Sequence, residues 1–383
     1  MPTLKLVIVC LAVLVAVLNG TASAENKKVI SGTNEYGGKT VEVTFESGDK
    51  LYGEAIKELI FYDRKGKVKQ EYFCTPAYAK EKGISKKTAF FEGMGKMTKA
   101  ELLFTDQFAD EKGVKRSVTD FDGKETETKE ELFYTDKFAY EKGWRRDISY
   151  FGGKGKIIKR EFFYTEQFAD EKGYNRLMAD LDENGKATRQ ELFYTDTFGA
   201  EKGVRTSVTS FYPNGEHSEK DEYFFTDRFA DEKGVKKKTI YHDRDGTVTR
   251  EEIFYTDRFS NEKGVERSVS LYDGSGKMME EQLFYTGRSA GKNGYFKAIT
   301  YFDGNEEMKE EELFYTEQFA DEHGVNRAIT HLAGDGEIAR AEYFHTDKFA
   351  GDTGYDKSIV SFDDDGQLIK NEYFKDGRPV EIK

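Results

Sequence analysis

Glutamate returns at a fixed interval through this sequence, at Glu71, Glu101, Glu131, Glu161, Glu191, Glu222, Glu252, Glu312 and Glu342, with Gln282 in the remaining place. A basic row keeps step with it, at Arg116, Arg146, Arg176, Lys237, Arg267, Lys297, Arg327 and Lys357. A row of carboxylates could hold cations or a basic ligand. Paired with the basic row, it makes a cross-strand ion-pair ladder that stabilises a sheet modestly, and the ladder is the expected reading. Catalysis needs one asymmetric site with tuned partners, whereas these residues come in many equivalent copies. A non-enzyme without a cofactor is therefore expected.

Two aromatic rows accompany the charges. Phe133, Phe163, Phe193, Phe254, Phe284 and Phe314 lie on one side of a strand. Tyr134, Tyr164, Tyr194, Tyr255, Tyr285 and Tyr315 come next in sequence and so point to the opposite side. The Phe row, together with the Phe of the following helical turn (Phe138, Phe168), is expected to be core. Tyrosine suits a half-wet surface, so the Tyr row is either a binding stripe for a glycan or protein partner or packing between repeats.

One window fits a metal-binding pattern. Asp180, Asp182, Asn184 and Glu191, with Gly185 between them, match the spacing of an EF-hand calcium loop. Its flanks read as strands rather than helices, and its Gly and Glu are the repeat's own, so a hairpin turn is the expected reading and calcium the alternative. The histidines, His217, His242, His323, His331 and His345, each replace a different position of the repeat, which gives no His cluster.

A 30-residue period sets all of these spacings. Glycine marks it at Gly53, Gly83, Gly113, Gly143, Gly173, Gly203, Gly234, Gly264, Gly294, Gly324 and Gly354, with one 31-residue step across Tyr212-Pro213-Asn214. Threonine runs in parallel, from Thr75 and Thr105 to Thr316 and Thr346. Runs such as Lys159 to Tyr164 and Val114 to Phe121 read as strands, joined through glycine turns such as Asn184-Gly185-Lys186. Thr105 to Gly113 reads as one helical turn, with Thr or Asp at its start and a left-handed Gly at its stop. The fold class expected is mainly β: an elongated repeat array, solenoid-like or a superhelical antiparallel sheet, of strand–turn–strand–helical-turn units.

The ends should differ. Residues 1–24 combine Lys5, an apolar stretch from Leu6 to Leu18 and Ala22-Ser23-Ala24, which reads as a signal peptide and implies a periplasmic or extracellular protein. Thirteen apolar residues are too few for a membrane span. Residues 25–62 read as a degenerate capping unit, 63–357 as tandem repeats and 358–383 as a capping hairpin. The net charge of −13 argues against a nucleic-acid partner. Cys10 leaves with the leader, and Cys74, standing where other repeats have Tyr or Phe, reads as a small core residue. The repeat at Gly287 to Asn293 lacks the Asp, Phe and Glu of its siblings, and faster amide exchange is expected there.

The segments Tyr241 to Thr247 and Leu181 to Lys186, each followed by a strand rich in Glu and aromatics, resemble the hairpins of MORN-type repeat proteins. They are also similar to the aromatic hairpin repeats of choline-binding surface proteins. The likeness covers the hairpin half of each unit and implies a binding or scaffolding role. The expected function is a secreted scaffold that binds a protein or polysaccharide along an extended face. Self-association as a structural or adhesin-like surface protein is the alternative, and calcium binding a further one.

Overall fold

The structure is a computed structural model that describes residues 27–45, 53–93, 95–213, 215, 217–334, 336–363 and 365–381. The expected leader, residues 1–24, lies outside them. Two compact units divide between Lys186 and Ala187.

In the first unit, strands run in sequence order from β1 (Lys27–Thr33) to β11 (Tyr174–Leu181). Each pairs antiparallel with the next, so the unit is one continuous meander. The second unit repeats the plan from β12 (Ala187–Tyr194) to β24 (Leu368–Lys375). A short β25 (Arg378–Val380), absent from the sequence expectation, pairs with Tyr373 to Lys375 at its edge. The mainly-β repeat of strand, turn, strand and helical turn is therefore the observed architecture.

The described residues contain ten seven-residue helices, each following the second strand of a hairpin. A helix this short is marginal without outside support. Support comes from both ends and from one side. In the helix Asp136–Lys142, Phe138 N–H donates to Thr135 Oγ1 at 3.3 Å, capping the start. Gly143 closes it at φ 87, a left-handed value that suits glycine, and donates to the Ala139 carbonyl at 2.8 Å. The same Thr135 donates its own N–H to the carbonyl of Gly113, which ends the preceding helix, at 2.7 Å. Within each unit the recurring Thr and Gly thus share one hydrogen bond that ties a helix to its predecessor. Ala139, at 6% exposure, is the residue this helix buries, and Ala109, Ala169, Ala290, Ala320 and Ala350 do the same in their own helices.

The hairpins close as the glycines imply. Asp182 Oδ1 accepts from the N–H groups of Asn184 and Lys186 at 2.8 and 2.9 Å, while Gly185 takes φ 79. The register shifts beside the hairpin turn, as where Asp120 faces Lys129 but Phe121 faces Glu127, so Thr128 is one residue extra on the returning strand.

Candidate functional site

Residues directly paired across antiparallel strands share a face of the sheet. In β10 (Ile157–Tyr164), Phe163 lies opposite Arg146 on one side and Arg176 on the other, and Glu161 lies opposite Ile148 and Met178. Lys159, Glu161 and Phe163 therefore line one face, with arginines flanking the phenylalanine. The Arg146 guanidinium sits 3.8 Å from the Phe163 ring centre, and that of Arg176 lies 5.4 Å away. The same order recurs in the second unit. Lys237 lies 5.2 Å over Phe224 and 5.5 Å over Phe254, Lys297 is 5.3 Å from both Phe284 and Phe314, and Arg327 is 4.7 Å over Phe344. Phenylalanine and cation alternate along the face, except that Thr206 takes the cation's place opposite Phe193 and Phe224.

The carboxylates lie one row further along, and the ion pairs are not between directly facing residues. Arg176 reaches diagonally to Glu161 at 2.7 Å, Arg146 to Glu131 at 2.8 Å and Arg116 to Glu101 at 3.0 Å. The residue facing Glu161 directly is aliphatic, which corrects the facing-pair ladder expected from the sequence. The reason is register: the cation stands opposite the Phe, two places along from the Glu. In most repeats a second cation, two residues before the Glu on its own strand, completes a clamp, whereas Glu310 holds that place before Glu312. Lys69 and Lys86 both meet Glu71 at 2.9 Å, Lys220 and Lys237 meet Glu222 at 2.9 and 2.6 Å, and Arg340 and Lys357 meet Glu342 at 2.6 and 2.5 Å. Burial alone would raise the carboxyl of Glu222, but its hydrogen bonds and the charges of Lys237 and Lys220 outweigh this and hold it below the usual range. Glu71, Glu101, Glu161 and Glu342 are shifted the same way for the same reasons. The Glu161 side chain is 6% exposed and that of its partner Arg176 34%. Outward, then, the face offers cation edges and phenyl edges, with the carboxylates underneath.

The Tyr row lies on the opposite face, where the helices sit. Tyr134 stacks on Phe138 at 4.5 Å, Tyr164 on Phe168, Tyr194 on Phe198 and Tyr255 on Phe259 at 4.6 Å, and Tyr315 on Phe319 at 4.5 Å. The helical phenylalanine thus packs on the Tyr row and not with the Phe row. This corrects the expected core: the helix folds back over the residue immediately before its capping Thr. One face of each of these five rings is covered. Tyr285 differs, because Ser289 replaces the phenylalanine, and its one ring contact among the described residues is Tyr295, edge-on at 5.0 Å. Burial and Tyr295 push the Tyr285 hydroxyl up to about 12.

The EF-hand-like residues are not gathered. Asp182 is occupied by the hairpin amides, Asp180 lies opposite Lys159 on the charged face, and Glu191 pairs with Arg189 at 3.0 Å. Among the described residues, no three His, Cys, Asp or Glu side chains converge to hold a metal. Cys74 lies against the core of the first unit, where burial pushes its thiol up to about 11.

Sequence reasoning missed a polar interior in the first unit. On the helix side of its sheet, Asp147 is 2% exposed and pairs with Arg160 at 2.8 Å. Glu130, 9% exposed, lies opposite Thr119 and Ser149. Burial, then Glu127 and Asp147, raise its carboxyl to about 7 against the opposing pull of Arg160. Lys87, 3% exposed, donates to the Tyr78 hydroxyl at 2.8 Å. The available signal was a break in the repeat, since Lys87 and Asp147 stand where siblings have Ser117, Ser207 and Ser268.

Comparison with known proteins finds no matching family model and no matching curated protein. Three solved structures show slight likeness. A Staphylococcus aureus TarM mutant in complex with fondaparinux, alpha-GlcNAc-glycerol and UDP is 12% identical, over 31% of this chain and 20% of that one, with a TM-score of 0.21. The GtfA/B complex bound to UDP and GlcNAc is 17% identical, over 36% and 22%, with a TM-score of 0.15. The TcdB2–TccC3 structure is 11% identical, over 94% and 20%, with a TM-score of 0.14. Likeness at this level carries no argument about function.

Proposed function

We propose that the chain is an exported, non-enzymatic scaffold that binds an extended partner, a polysaccharide or protein, along its cation–phenylalanine face. The observation that supports this reading is repetition. In most repeats the same Glu clamp and the same Phe between cations recur, about 10 Å apart for neighbouring copies, the width of two strands. Many weak, evenly spaced patches suit a partner that is itself a repeating polymer, because each added contact is intramolecular. The resemblance of the hairpin half to MORN-type and choline-binding repeats points the same way. The test is retention on immobilised polysaccharides and extended proteins, graded by length. Affinity should climb with chain length and fall when Arg116, Arg146 and Arg176 are all changed to Glu. Length-independent binding, or binding untouched by the charge reversal, sinks the proposal.

Self-association is supported by a different feature. In β24, Leu368 and Ile369 are 59% and 63% exposed, and β25 covers that edge only from Tyr373 to Lys375. An open apolar strand edge is a template for another strand. Sedimentation across a concentration series checks it: growing species support assembly, and one constant monomer dismisses it.

A further inference from the structure

The helix Gly287–Asn293 keeps its siblings' backbone and loses their ring. Ser289 N–H donates to Thr286 Oγ1 at 3.2 Å, Gly294 N–H donates to the Ala290 carbonyl at 2.8 Å, and Thr286 N–H reaches the Gly264 carbonyl at 2.8 Å. In the neighbouring repeat, by contrast, Phe319 fills the space beside Gly294, where an added Cβ would lie 2.4 Å from its ring, and stacks on Tyr315. Beside Gly264 stands only the short side chain of Ser289. Its hydroxyl accepts from the Asn293 amide at 3.2 Å, which ties it to its own helix.

The tyrosines do not close up over the missing ring. Tyr295 meets Tyr285 edge-on at 5.0 Å and 82°. The equivalent pair, Tyr174 and Tyr164, meets at 5.2 Å and 81° with Phe168 in place. The arrangement is therefore that of a repeat built around a phenyl ring, without the phenyl.

Charge changes at the same spot. Two sibling helices pair residues four apart with opposite sign, Arg228–Glu232 at 3.0 Å and Arg258–Glu262 at 3.1 Å, and three others bond Gln to Glu there. Here the equivalent positions are Arg288 and Lys292, both exposed, with no acid in the helix. Neither joins an ion pair among the described residues, and like charges four apart on a helix repel. An acidic protein thus carries a local pair of unmatched cations beside a vacated ring position.

We propose that the space bounded by Tyr285, Tyr295 and Gly264 is a slot for the aromatic side chain of an acidic peptide segment. The ring stacks on Tyr285 as Phe319 stacks on Tyr315, and flanking carboxylates meet Arg288 and Lys292. The slot is a single site in one repeat and stands apart from the polymer-binding face on the other side of the sheet.

The probe is a short peptide with one phenylalanine between aspartates, titrated into the full chain and followed by the ring resonances of tyrosine. Two control peptides replace the phenylalanine by alanine or the aspartates by lysines. The phenylalanine–aspartate peptide should saturate, and each control should bind at least about tenfold more weakly, as loss of one stacked ring or of the charge match implies. Ser289→Phe restores the sibling ring, so it should fold with higher thermal stability and lose the peptide. The exposed pair Arg288→Glu with Lys292→Glu leaves the slot intact and should weaken binding by a similar factor. Equal binding of the alanine peptide, no saturation up to about 10 mM, a range that covers a weak one-ring contact, or unchanged binding to Ser289→Phe overturns the proposal.

Discussion

Replacing Glu130 by Gln should stabilise the first unit at neutral and alkaline pH while leaving it unchanged in acid. Glu130 is 9% exposed, and the charges that act on it are those of Glu127, Asp147 and Arg160. Its carboxyl rises from 4.5 to about 7. Between those values the folded chain holds a proton that the unfolded chain has released. Stability therefore falls as pH climbs through the window, and the penalty is complete above pH 7. Each tenfold change in proton affinity is worth about 1.36 kcal/mol, so the full penalty is about 3 kcal/mol. Glutamine has nearly the shape of the protonated acid and cannot ionise, so the variant should lack this slope. The single tryptophan, Trp144, lies in the same unit against Phe138 and Phe162, and its fluorescence reports unfolding there. Urea titrations at pH 4, 6 and 8 should give coincident midpoints in acid, with the variant more stable by up to about 3 kcal/mol at pH 8. Parallel stability curves for the two proteins would refute the reasoning.

The clamped glutamates titrate with the opposite sign. Their folded values are depressed, so the stability they add is complete above the unfolded glutamate value near ~4.3 and disappears as pH drops through the folded value. Glu161→Gln should flatten the acid limb of the stability curve, as read by circular dichroism between pH 2 and 5. Gly113→Ala puts a side chain at φ 79 with its Cβ 2.2 Å from Phe138 Cδ2; a loss of at least ~1 kcal/mol is expected. Gly123→Ala, with nothing within 4 Å of the added carbon, should change stability by under about 0.5 kcal/mol in the same urea assay. Thr316→Ala removes a cap and should lower stability of the second unit by ~1 kcal/mol in urea.

The sequence is an unusually good witness to local structure here, because the copies align with one another. Thr105, Gly113 and the Asn184-Gly185 turn announce cap, stop and hairpin by chemistry that acts within a few residues. What spacing does not encode is where a turn aims the next element. Phe138 could have landed on Phe133 or on Tyr134, and only the path of the chain through Thr135 decides. The same limit hid the diagonal pairing of Arg176 with Glu161, since it depends on register between strands and not on position within one. The EF-hand-like window is the converse case: Asp182 and Gly185 fit a calcium loop in sequence because a tight hairpin needs the same acceptor and the same left-handed glycine. Buried Asp147 and Lys87 were visible as departures from the repeat, but departure alone gives no direction. Their burial depends on the surrounding sheet, which no single repeat describes.

The Ser289 repeat also separates two roles that the other copies combine. Its helix forms with cap, stop and buried Ala290 in place, so the phenylalanine at that position is not what makes the turn helical. The remaining role of the ring is to bridge, from the aromatic residue on its own strand to the glycine that ends the helix before it. A bridge of that kind can be lost at one rung while the Thr–Gly hydrogen bond still joins the helices on either side. Specialisation is accordingly least costly at this position of the repeat, where removing a side chain opens space without unfolding a turn. On the charged face the opposite holds: most of the Glu side chains answer two cations and most of the Phe rings face a cation on either side, so changing one residue strands several. A repeat built this way departs at few places on its charged face, such as Thr206, Gln282 and Glu310, and on the helix side admits a vacated ring position at the Ser289 copy.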